Sequence, residues 1–290
     1  MNNPILTAFN IIHDFAVSST RERDFAMKTN LVKPLTNRRT NRRAFTLVEL
    51  IVVLTILVGL AGVLIPAVTD MIERTNRSTS AINISEVAGA IQRYDAQYMT
   101  YPNNLDSLMF DDAGGGLAGG DDLNTLTAAF VTASADIALT AGTVATLAAG
   151  GITTVGLHAE DDATFELPTA TALAASDVLK GPTVLTQQAL GLETIGILGK
   201  YVFLGVGALS DMNGKTTIDA PVHFPRNATT NPETTYARFI AIFQITDGVV
   251  DLTYTQGKPL TRVKFVGVVA PDALGLSDEL DGYFHIASNQ

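Results

Sequence analysis

The 290-residue chain has no cysteine, which excludes disulfides and thiolate metal sites. Its four histidines, His13, His158, His223 and His285, lie far apart and lack metal-ligand spacing, so each reads as structural or surface-placed. Basic residues are scarce in the body. Residues 1–44 hold eight Lys/Arg against three Asp/Glu, whereas the remainder holds eleven against twenty-six. An acidic body cannot neutralise a phosphate backbone, so no nucleic-acid partner is expected. A phosphate loop is missing too: "GVGALSDMNGK" (205–215) lacks the glycine spacing and the Ser/Thr that opens the following helix. Ser210 and Ser277 have no base nearby in sequence. No motif supports an enzyme.

Long apolar runs are rare, with one exception. Phe45–Thr69 contains a single charge, Glu49. As a helix this run would extend about 37 Å, enough to span a hydrocarbon layer of about 30 Å with some tilt. Lys28, Lys33, Arg38, Arg39, Arg42 and Arg43 precede it, with no acid between Phe25 and Val48. The positive-inside rule then keeps residues 1–44 in the cytoplasm and exports the acidic body. Two plain readings compete. One is an uncleaved anchor. The other is a secretory signal peptide cut after the small residues Gly59 and Ala61, which the apolar continuation "GVLIPAV" weakens. Neither explains Glu49. A charge at a bilayer centre costs roughly 2.5–3.5 kcal/mol, and less near a helix end, where the side chain snorkels to the interface.

The stretch "RRAFTLVELIVVLTILVGLAGVLIPAV" resembles the start of type IV prepilins and of the pseudopilins of type II secretion. The resemblance covers about residues 38–102. It implies that a prepilin peptidase cuts between Ala44 and Phe45 and methylates the new amine of Phe45. It also implies that Glu49 is the family's glutamate, which meets the N-terminus of a neighbouring subunit during assembly, and that Pro66 is the family's helix-bending proline. The family usually has Gly before the cut, where this chain has Ala44. A 44-residue leader is long for the family. Met27 begins a purely basic leader of eighteen residues, and the favoured reading of residues 1–26 is a misplaced start. Inside an apolar bundle, carboxylate and ammonium are each costly alone and tolerable together, so the pair sets subunit register.

From Asp70 to Tyr98 the helical pattern becomes amphipathic. Ile84, Val87, Ile91, Tyr94 and Tyr98 form one stripe, and Val87, Ile91, Tyr94 and Tyr98 are expected to dock on a sheet. Pro66 is expected to bend or locally open the rod, and Tyr101-Pro102 to stop it. By resemblance to pseudopilins, a turn and a short "LxxL" helix over Leu105–Leu108 should follow. "DDAGGGLAGGDD" reads as a flexible loop, and 121–149 as one or two short helices. Residues 111–198 read as a low-complexity insertion of unassigned role. Strand signals come late, at 200–209, 238–245, 261–270 and 282–288, with Asp247-Gly248 a hairpin turn into "VVDLTYT" (249–255).

The expected class is therefore α+β: a long N-terminal transmembrane and amphipathic helix packed on a C-terminal antiparallel sheet, as in pilins. The expected organisation is a basic leader (1–44), a transmembrane helix (45–69), an amphipathic continuation (70–98) and an exported head (99–290). No cofactor is required. The acidic pairs Asp111/Asp112, Asp121/Asp122 and Asp161/Asp162, and Asp211 with Asn213 in "SDMNGK", are weak calcium candidates, the last lacking a closing glutamate. Expected partners are the membrane, a prepilin peptidase, copies of the chain with other pilin-like subunits, and an inner-membrane assembly platform. The expected function is a structural subunit of a type IV pilus-like or type II secretion pseudopilus filament. The alternative is a membrane-anchored extracytoplasmic binding protein that does not polymerise.

Overall fold

The computed structural model describes residues 46–111, 116–159, 168–192, 196–223, 235–249, 255–272, 275 and 278. The chain divides into two compact units, the first ending at Leu54. Helix α1 spans Leu47–Tyr98 and stays helical through position 66, although Pro66 has no N–H to give the Gly62 carbonyl. The helix ends at Met99, which takes a left-handed conformation (φ 60°) and still donates its N–H to the Asp95 carbonyl. Tyr101-Pro102 follows, so the stop signal read in the sequence is the one the fold uses.

The sheet of the second unit has seven strands. In chain order they are β1 (Leu105–Asp111), β2 (Asp121–Asp122), β4 (Thr154–Ala159), β5 (Thr169–Ala172), β7 (Tyr201–Gly205), β8 (Ile240–Thr246) and β9 (Pro259–Val269). Their spatial order is β5-β4-β1-β7-β8-β9, with β2 attached to β1. Every pairing is antiparallel except β1 with β4, which is parallel. A separate antiparallel pair joins β3 (Ser134–Ala138) to β6 (Val178–Pro182). Short helices α2 (Ala128–Ala133), α3 (Ala141–Ala149) and α4 (Val184–Ala189) complete the unit. Each of the three starts at a threonine whose hydroxyl accepts a first-turn amide: Thr127, Thr140 and Thr183.

Side chains on the two faces of β7 and β8 explain their near-continuous apolar sequence. Val202, Leu204, Ala241 and Phe243 point into one core, together with Ile84, Val87, Ala90, Ile91 and Tyr94 of α1. Tyr201, Phe203, Ile240 and Ile242 enter a second core with Leu108, Leu126 and Phe130. Strands covered on both sides lose the polar alternation of half-exposed ones. Polar bonds fix α1 on the sheet side. Arg262 on β9 pairs with Asp95 and donates to the Met99 carbonyl, and Ser80 meets His223 Nδ1 at 3.2 Å inside the protein.

The structure revises several expectations. Tyr98 does not dock; it is 42 % exposed and stacks on Tyr94 at 4.6 Å, beneath the Lys215 ammonium. Leu105–Leu108 is strand, not helix, because Leu105, Leu108 and Met109 all find core on one face of the sheet or the other. At the end of "DDAGGGLAGGDD", Asp121 and Asp122 pair with Phe110 and Met109 of β1, while residues 112–115 lie outside the described residues. Segment 111–198, read as a low-complexity insertion of unassigned role, supplies β4 and β5 to the main sheet and Ile137, Leu147 and Leu179 to the main core. Two short helices do lie within 121–149. β8 pairs with β7 on one side and β9 on the other. "VVDLTYT" lies mostly, and 282–288 wholly, outside the described residues.

Candidate assembly site

The N-terminal tip of α1 carries a reciprocal cap. Glu49 Oε2 accepts the Thr46 backbone N–H at 2.8 Å and the Thr46 hydroxyl at 3.1 Å. The Glu49 N–H in turn donates to the Thr46 hydroxyl oxygen at 3.2 Å. This is a capping box, and its sequence signal is plain once sought: Thr-x-x-Glu directly before an apolar run. Two of the amides that a helix start leaves open are thereby satisfied. The carboxylate also sits where the helix dipole favours an anion.

Around this tip the helix is apolar on every side. Leu47, Val48, Leu50, Ile51, Val52, Val53 and Leu54 are all exposed, as are Ile56, Leu57, Leu60 and Leu64 further along. Helix α1 is long and apolar enough to cross a membrane. The tip can therefore present one fixed anion in an otherwise apolar rod. Ala44 and Phe45 lie outside the described residues; Thr46, the first described residue, directly follows Phe45. Pro66 lies within the same helix, well away from the cap.

Among the described residues the calcium candidates are not drawn together; Asp112, Asp161 and Asp162 lie outside them. Asn213 donates through Nδ2 to the carbonyls of Gly207 and Ala208, and its Oδ1 accepts the Thr217 hydroxyl, so its amide closes its own loop. Asp211 accepts from Asn104 Nδ2 at 3.0 Å. Asp122 and Asp136 both engage the buried Lys180. Among the described residues no group of three or more His, Cys, Asp or Glu could hold a metal ion.

Comparison with known proteins bears on the tip alone. Residues 39–64 match the family model of the prokaryotic N-terminal methylation motif. The chain carries the N-terminal signature of the pilins and pseudopilins. The matched segment contains the Ala44–Phe45 junction, the Thr46–Glu49 cap and most of the exposed apolar helix. No curated protein and no solved structure matches the chain. The head is thus described by its own architecture: a long N-terminal apolar helix on a mixed, mostly antiparallel sheet, an α+β arrangement of pilin type. Pilin-like proteins are typically structural and non-enzymatic, and the apolar helix with its motif suits a membrane-anchored chain with an extracytoplasmic head.

Proposed function

We propose that this chain is a structural subunit of a type IV pilus-like or type II secretion pseudopilus filament. A prepilin peptidase removes residues 1–44 on the cytoplasmic face and methylates Phe45. The subunit waits in the inner membrane with Phe45–Thr69 in lipid, and an assembly platform then extracts it into a bundle of identical and related rods. The amphipathic continuation, 70–98, carries the head outside. The observation that carries this reading is the methylation motif at 39–64 placed on a helix whose apolar side chains stay exposed all round.

Glu49 gains a task in such a bundle. Its carboxylate meets the Phe45 ammonium of a neighbouring rod, and a rod out of step leaves both charges unmatched. Breaking a buried pair of this kind costs about 3–5 kcal/mol, enough to reject a slipped register. Mass spectrometry of the N-terminus after expression with a prepilin peptidase tests the reading. A chain beginning at methylated Phe45 supports it. A start near Gly62 reveals signal-peptide processing, and an intact leader on a monomer reveals a plain anchor; either result overturns it.

A further inference from the structure

Asp106 stands apart from everything the filament reading uses. It lies in β1 directly opposite Gly205 of β7 and is only 2 % exposed. Its Oδ2 accepts one hydrogen bond, from the Tyr236 hydroxyl at 2.8 Å. His158 of β4 places Nε2 3.9 Å from the same oxygen, and its ring meets Tyr236 edge-on at 6.4 Å. Oδ1 has no hydrogen-bond partner among the described residues. Glycines form the walls. A Cβ at Gly207 would overlap the carboxylate, one at Gly205 would overlap the Tyr236 hydroxyl, and one at Gly156 would press on both Oδ1 and Pro168. Among the described residues, the charged and titratable groups that face Asp106 are His158 from β4 and Tyr236 and Arg238 from the segment entering β8. β7 contributes only glycine, and the Arg238 guanidinium is committed to the Ala220 carbonyl.

An ionised carboxylate with one hydrogen bond in such a cradle is poorly solvated. We propose that Asp106, Tyr236 and His158 form an acid-stabilised clasp, which holds the segment entering β8 against β1 and β4 and loosens as the surroundings become alkaline. The cluster joins three stretches distant in sequence, and Tyr236 is fixed at its other end by its N–H on the Thr125 carbonyl. Burial pushes the Asp106 carboxyl up from 3.8 to about 7, against the smaller opposing effects of the Tyr236 hydroxyl and Arg238. Burial and the neighbouring carboxylate push the Tyr236 phenol well above its usual value, so Tyr236 stays a donor throughout. Folding raises the Asp106 pKa, so its stabilisation is complete below about pH 4 and is lost as pH rises to about 7.

The test uses the full chain in detergent micelles. All seven tyrosines lie outside the apolar run, so their near-UV signal reports the head. The Tm of the wild-type chain minus that of Asp106→Asn should fall by roughly 5–10 °C between about pH 5 and pH 8. The infrared C=O stretch of a protonated carboxylic acid should be present at the lower pH and absent from the variant. A difference that is flat or grows with pH, or a missing acid band, overturns the proposal. Should Asp106→Asn fail to fold, Tyr236→Phe decides: loss of the donor should move the infrared midpoint of Asp106 upward by roughly one pH unit. A midpoint that stays or moves down is equally fatal.

Discussion

Leu50 and Ile91 lie on the same helix, are similar in size and apolarity, and meet opposite fates: Leu50 is 56 % exposed and Ile91 is 0 % exposed. The difference lies in their neighbours. Around Ile91, polar residues such as Glu86, Arg93 and Asp95 leave a single apolar stripe, and one sheet face is enough to cover it. Around Leu50 the apolar surface runs the whole way round, and a sheet can shield only one side. A helix apolar on all sides needs apolar surroundings on all sides, which lipid or a bundle of like helices provides. The head covers one stripe of the second part of α1; the first part has no cover among the described residues.

The sharpest attack on that contrast is Glu49→Ala. The variant should insert in the membrane and keep the Tm of its head, while filaments seen by electron microscopy disappear, a loss equivalent to about 3–5 kcal/mol per contact. Normal filaments would remove the role assigned to the carboxylate. Ile91→Ala should do the reverse, lowering head stability by about 2–5 kcal/mol in tyrosine-monitored melts. Leu57→Ala in the exposed part should leave those melts unchanged, and a comparable drop would mean that the two parts share one fold. Thr46→Ala separates capping from pairing: it keeps the Glu49 carboxylate but removes its hydroxyl partner. Faster hydrogen exchange at residues 48–50, worth about 1 kcal/mol, should accompany filaments that still form. The smallest effect belongs to Glu73→Gln, which weakens the half-buried i,i+4 pair with Arg77. It should cost about 0.3–0.5 kcal/mol, near the limit of a thermal melt.

How much of this was legible before any coordinates existed follows from the range of the forces involved. The apolar rod, the stripe through Ile91, the stop at Tyr101-Pro102 and the late strands β7, β8 and β9 depend on local period and local backbone preference, and all can be read from short windows. Tyr98 fits the helical period yet lies beyond the edge of the covered face, which periodicity does not reveal. The resemblance to pseudopilins implies a helix over Leu105–Leu108, and only the partners of Asp106 50 and 99 residues away, Gly156 and Gly205, make it a strand. The same holds for Asp106. Its sequence neighbours are unremarkable, and its environment is assembled from 156, 158, 205, 207 and 236. The Thr46–Glu49 cap is the opposite case: its signal, Thr-x-x-Glu before an apolar run, is local and complete.

The side-by-side, same-direction run of β1 and β4 has a practical consequence for anyone trimming the head. Two strands that point the same way cannot be joined by a tight reversal; the chain must travel back the full length of the first before it can start the second. Residues 112–153 make that return journey, carrying β2, α2, β3 and α3 on the way. Cutting them out and closing the gap with a short linker would not give a smaller version of the same domain. It would leave β4 without a path to its place and open the edge of β1 to whatever strand arrived first.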